Sequence, residues 1–401
     1  MNDFNKLWAG QTVSLLGSTL TMFALPTLAV LVLRASPPQI GALFALEMLP
    51  FPVLGLFVGV LADRFSRRKM MIVADIVRFA ALATIPAAAA LHVLGLPLLY
   101  VVGLVTGCAS AFFGIAYQAY LPAIVPSEKL VEANQKLEFS NSGTTMAGNA
   151  VAGGLIQTLG APMAIAVDAA SYLVSVASLA AIRTPEARRD HPTLTLRQIF
   201  SELREGLGIV FKSHDLRWIL AATGTTNFGG SMAGAVHLIY AYRLLHLQPG
   251  YLGLIEGLAS IGFIGALLST KVRAWLGLRN TLVMALTMGS IAIAGSLLGL
   301  LGLPYLVLFF SAAIQAITIP IYNVNQVSYR QSLVELRLQG RLNATMRTFV
   351  WGTVPLGSLA GGYAATAFGI PQTILIGAFF DLLGAAWLLP LRERSISPTA
   401  A

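Results

Sequence analysis

Between Gly59 and Lys69 the chain reads GVLADRFSRRK. One acid, Asp63, closes an apolar run over residues 39–62, and Arg64, Arg67, Arg68 and Lys69 stand before the next run, over 70–92. Each run has the roughly 20 residues that a helix needs to cross hydrocarbon about 30 Å thick. A basic cluster held between two such runs predicts a membrane hairpin: helix, short charged loop, helix. Gly59 lets a neighbouring helix approach closely. The cluster can pair with Asp63 and with nearby helix ends, and so latch one face of the molecule. Plain anchoring by positive charge fits the same residues equally well.

The pattern repeats outward from this hairpin. About twelve apolar runs follow one another, over 8–33, 39–62, 70–92, 97–122, 130–159 and 161–183, then 215–242, 251–272, 280–302, 304–328, 339–368 and 371–391. Charged residues make up only 11%, against roughly 25% in soluble domains, which excludes an ordinary soluble enzyme. Stretches such as Ala80 to Leu91 do not alternate in polarity, so a β-barrel is excluded as well. The spans are therefore helices, which satisfy their backbone internally. The first run is too long for a cleavable leader and flows into the next. Cys108, the one cysteine, leaves no intramolecular disulfide or paired-cysteine metal site.

The net charge of +9 belongs to the loops. With the N-terminus in the cytoplasm, 21 Lys and Arg residues fall on the cytoplasmic side and only Arg34 and Arg243 on the other. Both termini are then expected to be cytoplasmic, in a multi-pass protein of the inner (cytoplasmic) membrane. The basic charge is accounted for without nucleic acid.

The longest polar stretch, 184–214, divides the chain into residues 1–183 and 215–401. Within it, Leu196, Ile199, Phe200, Leu203 and Leu207 recur at helical spacing, which predicts an amphipathic helix on the cytoplasmic face. The two parts echo each other: Ala152-Gly153-Gly154 and Gly160-Ala161-Pro162 in span five, Ala360-Gly361-Gly362 and Gly369-Ile370-Pro371 in span eleven. Two related six-helix halves predict a transporter with its site at their interface.

Acids inside apolar runs are functional candidates, because an ionised carboxylate is costly to bury. They are Glu47, Asp168, Glu256 and Asp381. Glu47 and Glu256 lie in spans two and eight, corresponding spans of the two halves. Both are candidates for proton coupling, with Asp168 as a third. A structural helix–helix hydrogen bond is the alternative for each. Asp75 and Arg78 are one turn apart and can neutralise each other. They are read as a brace and grouped with the latch of Gly59, Asp63, Arg64, Arg67 and Arg68. No GxSxG, HExxH or phosphate-loop motif is present, so no catalytic site, cofactor or metal is expected, and a proton gradient would supply the energy.

GVLADRFSRRK resembles the cytoplasmic signature of the major facilitator superfamily, G-x-L-a-D-r-x-G-r-k, with Ser66 in place of the second glycine. The continuation Ala74 to Arg78 and the span five–six and eleven regions are similar to the drug:proton antiporter branch that holds macrolide-type efflux pumps and siderophore exporters. Two departures stand out. Asn149 replaces the proline of the antiporter motif, and span four carries no arginine. The resemblance implies an all-α fold of twelve helices in two pseudo-symmetric bundles. It also implies a cavity lined by Gln118, Asn227 and Gln315, with Tyr117, Tyr240 and Tyr322 as aromatic walls.

The expected function is proton-driven export of an amphipathic small molecule by a monomer in the lipid bilayer. A lipid or lysophospholipid flippase or a uniporter of the same fold is the rival transport reading. A membrane scaffold is the non-transport one.

Overall fold

The computed structural model describes residues 3–54, 65–126, 129–184, 196–260 and 262–392. Among these, every regular element is a helix. The first half holds α1 (Asp3–Leu31), α2 (Pro37–Met48), α3 (Arg67–Ala90), α4 (Leu96–Ile124), α5 (Leu130–Leu159) and α6 (Ala161–Ala180). The linker helix is α7 (Leu196–Lys212). The second half holds α8 (His214–Ile239), α9 (Pro249–Ala259), α10 (Gly262–Leu276), α11 (Leu278–Gly295), α12 (Pro304–Ser332), α13 (Leu336–Phe368) and α14 (Ile370–Ala386).

Six of the described helices are long and apolar enough to cross a membrane: α1, α3, α4, α6, α11 extended to Leu301, and α12. The bent pair α9–α10, turning by 41°, makes a seventh. In α8, buried Thr223 and Gly224 face protein rather than lipid, so low hydropathy costs this helix nothing. With α9 and α10 counted as one bent span, the packing is consistent with twelve.

Neighbour relations repeat between the halves. In the first half α1 packs on α5 and α6, α3 on α4 and α6, and α2 on α4. In the second, α8 packs on α13 and α14, α11 on α12 and α14, and α9 and α10 on α12. The turns repeat too. Left-handed residues follow α1 and α8 (Arg34 φ 50°, His246 φ 54°) and α3 and α11's short 3₁₀ extension (His92 φ 57°, Leu303 φ 53°). Glycines with φ of 84° and 96° stand between α5 and α6 and between α13 and α14, Gly160 and Gly369. The sequence echo is thereby explained: glycine supplies the positive φ and Pro162 or Pro371 then starts the next helix.

The first helix of each half is tied to the chain that follows its sixth. Asp3 accepts from the backbone N–H groups of Arg183 and Thr184 at 3.0 and 2.8 Å. Asp215 accepts from the backbone N–H of Arg392 at 3.3 Å and the Tyr329 hydroxyl at 2.5 Å.

The halves meet at the end opposite the termini. There α2 packs on α13 and α5 on α9. A Cβ on Gly153 would stand 2.9 Å from the Gly253 Cα, and one on Gly362 2.8 Å from the Pro38 Cα. Tyr242 and Thr27 hydroxyls lie 3.0 Å apart, Arg243 donates to the carbonyls of Val30 and Ala35, and Gln157 donates to Gln248 at 3.0 Å. One apolar core there draws on both halves, from Leu20 and Ile40 to Ile239 and Ile374. Toward the termini the core divides, one cluster around Met71 and Tyr120, the other around Leu216 and Leu342.

Helix α7 does not lie free. Its Gly206 meets Thr345 and the Arg341 carbonyl of α13, Val210 is buried, and Glu205 pairs with Arg341 at 2.5 Å. Residues 185–195 lie outside the described residues.

Gly153 and Gly154 separate packing from propensity. Gly154 has open space where a Cβ would go. Gly154→Ala is expected to be neutral or to stabilise by up to about 1 kcal/mol. Gly153→Ala should destabilise by about 1–3 kcal/mol through overpacking. Thermal melting in lipid nanodiscs checks this; equal melting of the two variants would contradict the closed contact.

Candidate functional site

The second half contains two cavities that share the walls Gly230, Ile293 and Gln315. One, of about 240 Å³, is lined by His237 and Glu256 with Ser296, Ser311 and Gln315 as polar neighbours. The other, of about 340 Å³, is lined by Asn227, Tyr322, Asn323, Trp351 and Asp381 among mostly apolar surface. An apolar chamber with few polar anchors is the usual form of a small-molecule site.

Glu256 rides on α9. Three features of the local sequence place it. Pro249 starts the helix, which then runs apolar on both sides of the acid. At its end Ser260 donates its hydroxyl to the Glu256 carbonyl at 2.7 Å, satisfying backbone where the helix stops and bends toward α10. His237 lies across the turn on α8, shortly before the π-helical stretch Tyr240–Leu244. Such bulges are frequent at functional sites. His237 Nε2 and Glu256 Oε1 are 3.1 Å apart, and both side chains are about one-third exposed to the cavity (34% and 29%). The pair can be neutral in two ways, as imidazole with a carboxylic acid or as imidazolium with carboxylate. The two forms hold the same proton at different atoms; its release leaves the Glu256 carboxylate as a single negative charge facing the cavity, which an arriving cation can balance.

The polar residues around it are held in place. Gln315 donates to the Ser311 carbonyl and hydroxyl at 3.4 Å. Asn227 donates to the Val350 carbonyl at 3.2 Å, and the Thr223 and Tyr322 hydroxyls are 2.6 Å apart. Trp351 reaches the first half, with its ring 5.8 Å from that of Phe51.

Of the residues expected to bind substrate, the structure brings Asn227, Gln315 and Tyr322 to these walls. Tyr240 is fully buried and donates to the Ser296 carbonyl at 2.8 Å; it braces the bundle and does not face the cavity. Gln118 and Tyr117 are on α4 of the first half, Gln118 exposed and Tyr117 stacked on Phe113. Glu47 is half-buried against Gly103 and Gly107 of α4. It does not share a chamber with Glu256. Asp168 is buried between α6 and α1, apart from both cavities.

Of the latch, Gly59, Asp63 and Arg64 lie outside the described residues. Arg67 donates to the Ala119 carbonyl at 3.1 Å and Arg68 to those of Leu179 and Ala180 at 2.7 and 2.5 Å. These carbonyls belong to the last turns of α4 and α6, whose dipoles favour a cation. The bonds run within the first half. Asp75 and Arg78 form a buried ion pair.

In the sequence His237 is one of five scattered histidines, most of them near span ends, and on that pattern it marks no site. The signal is its spacing: His237 and Glu256 are equidistant from the α8–α9 turn at His246 and Leu247, so an antiparallel hairpin sets them at one depth.

The model of the Major Facilitator Superfamily matches residues 7–349. Macrolide efflux protein A of Streptococcus pyogenes is 24% identical over 381 residues, covering 93% of this chain and 92% of its own. Multidrug efflux pump Tap of Mycobacterium tuberculosis is 27% identical over 407 residues, covering 96% and 93%. Among solved structures, a point mutant of the nucleoside transporter NupG aligns with TM-score 0.77 at 13% identity, over 96% of this chain and 99% of its own. A bacterial homologue of the iron transporter ferroportin, in its inward-facing state, also reaches 0.77, at 15% identity over 96% and 97%. The likeness to the solved structures is one of fold. A family match over most of the length, on two repeated helical bundles, leaves one conclusion: the chain belongs to the Major Facilitator Superfamily of membrane transporters.

Proposed function

We propose that this protein exports amphipathic small molecules from the cytoplasm in exchange for protons, by alternating access. The observation that carries the reading is the His237–Glu256 pair on the wall of one cavity, which adjoins at Gly230, Ile293 and Gln315 a second cavity lined by Asn227, Tyr322 and Trp351. Proton chemistry and an amphipathic lining then stand side by side, with Gln315 on both walls. The efflux relatives support the direction.

The charge asymmetry of the loops puts the termini in the cytoplasm. The joint core and the glycine contacts then close the outer side, and the divided cores face inward. In this state substrate enters from the cytoplasm or the inner leaflet. It packs against Trp351 and Tyr322 and takes hydrogen bonds from Asn227 and Gln315. Its arrival displaces the proton shared by His237 and Glu256. When the outer contacts part, a proton from outside returns to the pair and substrate leaves. Glu47, on the corresponding span of the first half, joins this scheme as a second acid, without a place in the same chamber.

Inverted membrane vesicles carrying a proton gradient test the scheme with a cationic dye, a macrolide, a siderophore and a lysolipid. Gradient collapse on addition is expected with at least one of the first three. Glu256→Gln should slow it by at least tenfold, equivalent to about 1.4 kcal/mol. Collapse that persists in Glu256→Gln would remove the pair from coupling. Substrate transport without any gradient dependence would favour a flippase or uniporter.

The walls can be told from the braces. Trp351→Ala is expected to raise the half-saturating substrate concentration about fivefold, the equivalent of ~1 kcal/mol. Tyr240→Phe should leave that value unchanged and cost about 1 kcal/mol of stability through the lost hydrogen bond to Ser296. The opposite pattern, read by dye efflux and thermal melting, would relocate the site.

A further inference from the structure

The first half buries a charge cluster that the export scheme does not use. Asp75 and Asp168 are 0% exposed and Arg78 6%. Arg78 pairs with Asp75, and its guanidinium lies 4.4 Å from the ring centroids of both Phe113 and Tyr172. Tyr172 is one turn from Asp168 on α6. Asp168 accepts from the Ser171 hydroxyl at 3.1 Å. On α1, Gly17 leaves it room, since a Cβ there would stand 2.5 Å from the Asp168 Oδ1. The second half fills the corresponding space differently. Counted from the first residue of each helix, Gly289 and Leu286 of α11 stand where Arg78 and Asp75 stand on α3, and both line a cavity wall. The arginine and its acids are thus an addition to the first half and not part of the repeat.

The charges do not cancel. Two carboxylates and one guanidinium leave one negative charge in a site closed to solvent. The other groups facing it cannot supply the balance. From α1 come Gln11, Ser14, Ser18 and Thr21, all uncharged. Ser175 of α6, which accepts from Gln11 at 3.3 Å, is uncharged as well. Helix α4 presents Phe113, with Tyr117 stacked behind it. The Tyr172 phenol is at 2.9 Å from the Ser18 hydroxyl. Arg67 and Arg68 reach the ends of α4 and α6 instead. Asp75 Oδ2 and Asp168 Oδ2 are buried without a hydrogen bond of good geometry, and the hydroxyls beside the two acids, Ser175 and Thr21, are neutral. Burying an uncompensated charge is far costlier than neutralising it, and two carboxylates near one cation settle this by retaining a proton.

We propose that Asp75 and Asp168 hold one proton between them beside Arg78, forming a buried proton-binding site in the first half, distinct from the His237–Glu256 pair. Asp75 is the acid that Arg78 pairs with in this structure, and Asp168 takes its place as the ionised partner when the proton moves to Asp75. Moving the proton exchanges the partner, and so biases the contact of α3 with α6 and, through Gly17, that of α6 with α1. The site stands whether or not the export reading holds.

Infrared spectroscopy of the purified full-length protein in nanodiscs tests this without transport. A protonated carboxylic acid gives a C=O stretch that shifts in D₂O. In an Asp381→Asn background the band is expected to be present at neutral pH and to persist in Glu256→Gln and Glu47→Gln. Asp168→Asn and Asp75→Asn should each lose the same component, because the remaining carboxylate then pairs with Arg78 as an ion. Loss in neither variant would overturn the site. Loss in Asp168→Asn alone would overturn the sharing. Isotopic labelling of aspartate in the Asp381→Asn protein keeps the test open if Asp75→Asn does not fold: the band must shift, and a band that stays put overturns the proposal.

Discussion

Close approach of backbones at the end opposite the termini is the constraint on which the rest depends. Gly41 and Gly362 between α2 and α13, and Gly153 and Gly253 between α5 and α9, bring backbones together where any Cβ would collide. Lipid tails are as apolar as leucine, so helices in a bilayer associate through such packing and through hydrogen bonds, not through burial from water. The two are combined here. Glycine contact lets Arg243, Gln157 and Tyr242 reach partners in the opposite half. One joint core follows at that end, and two separate cores at the other. That asymmetry gives the molecule a closed side.

The second consequence concerns polarity. Each half repeats the same neighbours and the same left-handed turns, yet the interiors differ. The first half packs an arginine between two aromatic rings and two acids. The second leaves cavities and puts its acid beside a histidine. Among the described residues the two halves share one frame and differ in the side chains it holds. The chamber consequently belongs to the second half, with Trp351 and Phe51 as its aromatic contact to the first.

The frame was legible in the sequence for a physical reason. Apolar runs of bilayer length, separated by basic loops, admit one kind of secondary structure, and the Gly160–Pro162 and Gly369–Pro371 turns mark the same corner twice. The site was legible only in part. Glu256 stands out because a carboxylate in an apolar run needs an explanation, and Asn227, Gln315 and Tyr322 because their spans face inward in the family. Tyr240 could not be sorted from them, since burial around the Ser296 carbonyl depends on a helix far along the chain. Hydropathy also hid His237: a residue close to a predicted span end looks like an interfacial one until the π-helical stretch carries α8 further. Glu47 and Glu256 occupy corresponding spans, but whether two such acids share a space is decided by packing, and Gly103 and Gly107 of α4 close over Glu47.

The central claim is that substrate and proton compete at the His237–Glu256 pair. It is tested most directly by mixing the purified protein in weakly buffered nanodiscs with tetraphenylphosphonium, an amphipathic cation, and following pH and binding together. The account predicts proton release on binding, abolished in Glu256→Gln while binding itself survives. Binding with no proton release from the unaltered protein, or release undiminished in Glu256→Gln, would contradict it.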